Sequence, residues 1–140
     1  MLSRNLTHEI QDGGEAPLLS VERLRELLAS GAPIQVLDVR PALERAEWFI
    51  PGSVHRDVYD RLKASDESVL DDFAASASVP VVAVCARGRT SQLAARLLRR
   101  RGVDAYSLAG GMRAWSTAWN TAEMSEPHVA LIQVRRTGKG

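Results

Sequence analysis

The order of segments along this chain predicts an α/β sandwich, a parallel sheet of four or five strands with helices on both faces. Three observations carry that prediction. Val81-Val82-Ala83-Val84 is an unbroken apolar, largely β-branched run, as expected of a central strand covered on both sides. Short apolar runs alternate with amphipathic segments, the signature of β-α-β units. The connections between them carry Gly, Pro or Ser, which supply turn and cap conformations.

The elements follow in order. After a polar leader, residues 1–17, Ser20 can cap a helix in which Val21, Leu24, Leu27 and Leu28 recur at three- and four-residue spacing, and Gly31 closes it. Ile34 to Val39 reads as a buried strand. Pro41 stands at a helix start before Ala42 to Trp48, and Ile50-Pro51-Gly52-Ser53 is turn chemistry leading into an extended segment near Val54 to Val58. Tyr59 to Ala77 is expected to be helical. The strand at Val81 stops at Cys85. From Ser91 a helix turns Leu93, Ala94, Leu97 and Leu98 inward and Arg96, Arg99 and Arg100 outward, ending at Gly102. Ala105 to Leu108 gives another strand, Gly110-Gly111 a tight loop, and Met112 to Trp119 a last helix with two tryptophans. The chain thus divides into the leader, a domain over residues 18–119 and a tail over 120–140. In the tail, Ala130, Ile132 and Val134 share one side, as in an edge strand or in the opening strand of a further domain.

Composition narrows the function. A chain of 140 residues fits one domain with a real core. Hydrophobic residues at 45% and charged residues at 25% exclude the disordered and fibrous classes. Eighteen basic against seventeen acidic residues leave +1, so no bulk field draws the chain to nucleic acid or anionic lipid. The Arg99-Arg100-Arg101 run has no interleaved aromatics and is expected to be the solvated face of its helix. One cysteine excludes an intramolecular disulfide and any multi-cysteine metal cluster, and His8, His55 and His128 lack helical ligand spacing, so neither metal nor cofactor is expected. With neither an apolar leader of signal-peptide length nor a membrane-spanning run, the expected location is the cytoplasm.

The chemistry concentrates in Cys85-Ala86-Arg87-Gly88-Arg89-Thr90-Ser91. This segment joins the end of a buried strand to the start of a helix, where open α/β sheets place their ligands. First-turn amide N–H groups and two neighbouring guanidinium groups favour an anion there. Such surroundings lower a cysteine pKa from about 8.5 toward 3.5–7.5, which makes Cys85 a thiolate nucleophile. Gly88 permits the curled backbone that the loop needs.

This loop, together with VLDVRPALERAEWFIPGS and AARLLRRRGVDAYSLAGGMRAW, resembles the rhodanese family of single-domain sulfurtransferases over roughly Leu18 to Trp119. The shared parts stand in family order: the opening helix, Asp38-Val39-Arg40, Ile50-Pro51-Gly52, the six-residue cysteine loop, and Leu108-Ala109-Gly110-Gly111 with Trp115 four residues on. The resemblance implies a three-layer sandwich on a five-stranded parallel sheet. It implies that Cys85 takes a sulfane sulfur as a persulfide, cradled by the amides of Ala86, Arg87, Gly88, Arg89, Thr90 and Ser91, and passes it from a small anionic donor such as thiosulfate to a thiophilic acceptor. Arg87 and Arg89 would attract the donor, Thr90 would help hold the terminal sulfur, and Asp38 and Arg40 would brace the sheet end. Trp48 and Phe49 stand where the family usually has glycine and histidine, so they are either rim packing or an apolar wall of the pocket.

Two rival readings remain at this level. Cysteine-dependent phosphatases and arsenate reductases use a similar loop but want arginine six positions after the cysteine, where this chain has Ser91, and their loop is one residue longer. Alternatively, the domain carries a persulfide to a docked or fused partner. HVALIQVRRTGKG at the chain end resembles the opening strand of the metallo-β-lactamase-fold domain that follows rhodanese domains in some fusions.

Overall fold

The computed structural model describes residues 15–76 and 78–123. Five strands form one fully parallel sheet: β1 (Leu18–Leu19), β2 (Gln35–Asp38), β3 (Val54–His55), β4 (Val81–Val84) and β5 (Ala105–Leu108), in the spatial order β1-β5-β4-β2-β3. Helices α1 (Val21–Ser30), α2 (Ala42–Glu47), α3 (Tyr59–Lys63), α4 (Thr90–Arg100) and α5 (Gly111–Glu123) connect or follow them. The expected three-layer sandwich is therefore the fold of the described chain.

Alternation along the strands divides the core into two layers. Val82 and Val84 of β4 pack with Val21, Leu24, Met112 and Trp115 of α1 and α5. Val81, Ala83 and Cys85 point the other way, into a layer with Leu62 of α3 and Ala94, Ala95 and Leu98 of α4. A strand buried on both faces needs apolar residues at every position, and all four residues of β4 are buried. The caps act as their chemistry requires. Ser20 accepts a hydrogen bond from Arg23 N–H, and Gly31 ends α1 in the left-handed conformation.

Two expectations need correction. Tyr59 to Ala77 is not one helix, because α3 ends at Lys63 and turns follow. Ser65 adopts φ 64°, and Asp66 accepts from both N–H and Oγ of Ser68, so local side-chain bonding competes with helix continuation. The carbonyls of Leu70 and Phe73 are capped instead by the distant Arg101 guanidinium, at 2.7 and 3.0 Å. That contact contributes to the second correction: the arginine run is structural rather than merely solvated. Arg99 donates to the Ala105 carbonyl at 2.7 Å, and Arg100 pairs with Glu67 at 3.4 Å. Two helix boundaries also move slightly, with α4 starting at Thr90 and α5 running from Gly111 to Glu123. The strand expected within 120–140 lies outside the described residues.

Beside the carboxyl end of β4, a buried ion network pins the end of β2. Asp38, fully buried, holds the Arg40 guanidinium in a two-pronged pair of 3.0 and 2.8 Å and also accepts from Arg40 N–H at 3.1 Å and from Arg45 at 3.3 Å. Arg40 also donates to the Trp48 carbonyl at 2.8 Å, and Arg45 donates to Ser53 Oγ at 2.7 Å, which ties the 48–53 turn to the sheet. Removing one member of such a network strands an unpaired buried charge. Asp38→Ala is therefore expected to lower unfolding free energy by about 3–5 kcal/mol, read as a shift of the denaturant midpoint at unchanged slope.

Candidate active site

Cys85 follows β4 directly and is only 2% exposed. Its sulfur sits inside the loop that the sequence singled out. The N–H groups of Gly88 and Ser91 donate to Sγ at 3.1 and 3.3 Å, and Ser91 Oγ lies 3.3 Å away. In the thiol form Sγ–H donates to that hydroxyl, and in the thiolate form the hydroxyl donates to sulfur. A second hydroxyl, Ser107 Oγ of β5, meets Ser91 Oγ at 2.7 Å, and both serines are fully buried. Ser107, Ser91 and Cys85 thus form a chain of rotatable donors ending on the sulfur.

Backbone geometry turns the loop inward. Gly88 has φ 99°, in the region that favours glycine. Behind the loop, the first N–H groups of α5 take its carbonyls: Met112 N–H donates to Cys85 O at 2.7 Å and Arg113 N–H to Ala86 O at 3.0 Å. That approach demands glycine at 111, where φ is 61° and a Cβ would stand 2.5 Å from Cys85 O and 2.8 Å from Ala86 C.

Two opposed effects set the acidity of Cys85. Burial is the largest single influence and pushes the thiol up. Donors from the Ser91 side chain, Thr90, Ser91 N–H and Gly88 N–H pull it down, and together they win, leaving the pKa below the ordinary cysteine value. Thr90 Oγ1 is buried and, although near enough to favour the anion, has no hydrogen-bond partner of good geometry.

Of the loop amides expected to form the cradle, those of Gly88 and Ser91 reach the sulfur. Arg87 and Arg89 are exposed, and among the described residues neither side chain makes a hydrogen bond or ion pair. Beside the loop lies a cleft of about 260 Å³ lined by Arg40, Glu44, Glu47, Trp48, Ala86, Arg87, Met112 and Arg113. Trp48 is thus part of its wall. Phe49 is not, since its ring is half-buried under the Arg45 guanidinium, 4.0 Å from the ring centroid. Asp38 and Arg40 form the buried pair described above. Sequence reasoning missed Ser107, Glu44, Glu47, Met112 and Arg113. Ser107 carried one signal, a hydroxyl at an inward position of an otherwise apolar strand. Among the described residues no three His, Cys, Asp or Glu side chains converge as metal ligands, and no helix is long and apolar enough to cross a membrane.

Fold and loop together define an α/β domain that presents one polarised cysteine at the carboxyl end of a central parallel strand. Within that class the chain belongs to the rhodanese-like domain family, which residues 20–118 match. It is 36% identical over 103 residues to "Thiosulfate sulfurtransferase GlpE" of Pseudomonas paraeruginosa, covering 72% of this chain and 84% of that protein. It is 27% identical over 110 residues to "Putative sulfur carrier protein YrkF" of Bacillus subtilis, covering 78% of this chain and 56% of that protein. Among solved structures, a rhodanese-like domain protein from Staphylococcus aureus superposes with TM-score 0.58 at 28% identity, covering 71% of this chain and 90% of that one.

The hydroxyl chain has a measurable consequence. Ser107→Ala leaves Ser91 Oγ–H with no buried competitor but removes the donor that polarises it, so the Cys85 thiolate loses support. The rate of alkylation of Cys85 follows the thiolate fraction, so its half-maximum is expected at higher pH in Ser107→Ala than in the native protein, with Ser107→Thr restoring it.

Proposed function

We propose that residues 18–119 form a sulfurtransferase of the thiosulfate type, working through a persulfide on Cys85 in a ping-pong cycle. The observation that carries this reading is the convergence of two backbone N–H groups and the Ser91 hydroxyl on one buried, acidified sulfur. In the first half-reaction the Sγ thiolate attacks the outer sulfur of thiosulfate. The new S–S bond forms on Cys85, the sulfur–sulfur bond of the donor breaks, and its electron pair leaves on sulfite. In the second, an acceptor nucleophile attacks the outer sulfur, the bond to Sγ breaks, and the pair returns to Sγ as thiolate.

Each part of the loop has a task in that cycle. The outer sulfur stands about 2.05 Å beyond Sγ and is itself a soft anion, so the same N–H groups that hold the thiolate support the loaded form. Thr90 Oγ1, buried without a partner, gains an acceptor when that second sulfur arrives. Arg87 and Arg89, exposed at the loop, raise the local concentration of a dianionic donor. The names of the relatives from Pseudomonas and Bacillus support transfer and carriage of sulfur respectively. A carrier would load the same cysteine and discharge to a protein partner. A thiolate that must stay reduced between cycles suits a reducing compartment, in keeping with the cytoplasm.

Intact mass tests the reading, because the chain has one cysteine. Thiosulfate is expected to add one sulfur, and cyanide to remove it as thiocyanate. Cys85→Ser is expected to fold and to lose both steps, and turnover by that variant would overturn the assignment. Arg87→Ala keeps the nucleophile and loses attraction, so its KM for thiosulfate is expected to rise by about fivefold, the scale of an exposed charge contact, with kcat nearly unchanged.

A further inference from the structure

The donors around Cys85 are of two kinds. The N–H groups of Gly88 and Ser91 belong to the loop backbone and keep their direction whatever the sulfur carries. The Ser91 hydroxyl, 3.3 Å from Sγ, is a rotor, and its other partner is Ser107 Oγ of β5 at 2.7 Å. Ser107 stands on a strand whose Ala105 and Leu108 are fully buried, where alanine would pack without a polar group to satisfy. A buried hydroxyl is costly unless bonded, and the bond Ser107 makes is to the serine that touches the sulfur. Both serines are 0% exposed, whereas the cysteine loop meets solvent at Arg87 and Arg89. A second sulfur that reactants must reach cannot project into the packed space around the serine pair, so the pair acts on Sγ and not on the atom beyond it.

The charge on Sγ changes through the proposed cycle. Before loading, Sγ is a thiolate, Ser91 Oγ–H donates to it, and Ser107 Oγ–H donates to Ser91 Oγ. After loading, Sγ is a neutral divalent sulfur and a weak acceptor, and the negative charge lies on the outer sulfur. The hydroxyl pair therefore favours the empty state over the loaded one. Resting on the sulfur-transfer reading above, we infer that Ser107 is a positioning residue for discharge: by holding Ser91 Oγ–H on Sγ it makes Cys85 a better leaving group when the acceptor takes the sulfur, while slowing its attack on the donor. In loading, the Sγ pair forms the new sulfur–sulfur bond, the donor's bond breaks onto sulfite, and the hydroxyl bond weakens as charge leaves Sγ. In discharge, the acceptor bonds the outer sulfur, the bond to Sγ breaks, its pair returns to Sγ, and the hydroxyl bond re-forms. Neither hydroxyl gives up its proton. Donors that make a thiolate less basic reduce its nucleophilicity and raise its leaving ability, so the two half-reactions respond to Ser107 with opposite signs.

The test compares the native protein with Ser107→Ala, Ser91→Ala and the double variant at a pH on the plateau of each protein's alkylation rate, where Cys85 is thiolate throughout. Intact mass gives the rate of loading by thiosulfate, the loaded fraction at a fixed ratio of thiosulfate to sulfite, and the rate at which cyanide unloads protein freed of donor. In Ser107→Ala the ratio of loaded to empty protein is expected to rise about fivefold, the scale of one hydrogen bond, divided into loading about twofold faster and discharge about twofold slower. Ser91→Ala, which keeps its N–H, is expected to move all three quantities in the same directions, with Ser107→Ala adding nothing further in the double variant. If the alanine cavity disturbs β5, Ser107→Thr against Ser107→Val, alike in shape and differing in the hydroxyl, makes the same comparison, with Ser107→Thr expected to behave as native. Half-reactions that slow together, a loaded fraction that does not rise, or effects of the two serines that add in the double variant would overturn the inference and leave the sulfur-transfer reading standing. Failure of thiosulfate to load the native protein would overturn both.

Discussion

Everything at the reactive cysteine depends on the seating of α5 against the cysteine loop. A strand that ends in the middle of a sheet leaves a following loop with carbonyls and N–H groups that both need partners. Here the first-turn N–H groups of α5, which no helix can satisfy internally, take the carbonyls of Cys85 and Ala86. With those carbonyls held from behind, the N–H groups of Gly88 and Ser91 are left facing the sulfur. The distances leave no room for a side chain at 111, because a Cβ there would collide with Cys85 O. One close approach of a helix end thus orients the loop, satisfies its backbone and creates the donor set around the nucleophile.

The same sheet end carries a second, independent support. The Asp38 carboxylate gathers Arg40 and Arg45, and these reach on to the Trp48 carbonyl and to Ser53. Since β2 and β4 are direct neighbours in register, Asp38 lies opposite Val84, one residue before Cys85. The ion network therefore fixes the segment that brings Trp48 to the cleft, while α5 fixes the loop that brings the sulfur. A buried ion pair is weak ground for stability in itself, but its directional bonds suit the placement of an irregular turn beside a regular strand.

How far the sequence disclosed this depended on the range of the interactions involved. The cysteine loop was legible because strand, glycine, loop and helix start are consecutive, and the parallel sheet was legible because VVAV and the alternating helices follow local periodicity. The segment after Lys63 was misread because its structure is decided elsewhere: Arg101, thirty-one and twenty-eight residues away, caps the Leu70 and Phe73 carbonyls. The arginine run looked like a polar helix face for the same reason, its partners being visible only once the chain is folded. Ser107 stayed hidden because its role exists only where β5 meets the first turn of α4. Trp48 and Phe49 are adjacent and equally apolar, and only the turn geometry sends one to the cleft and the other beneath Arg45.

The fold also keeps two electrostatic tasks apart. Acidifying the sulfur falls to dipoles within about 3.3 Å at a buried position, where hydrogen bonds are strengthened. On the proposed function, attracting an anionic donor would fall to Arg87 and Arg89, which stand in solvent, where charges are screened over about 8 Å at physiological ionic strength. Had a buried guanidinium supplied the acidity, any change in donor preference would have altered the nucleophile as well. With neutral amides and hydroxyls holding the sulfur, the charges at the mouth are free to differ without disturbing it. On that proposal chemistry and donor attraction would occupy adjacent but separable layers, the first set by buried amides and hydroxyls and the second by exposed charges.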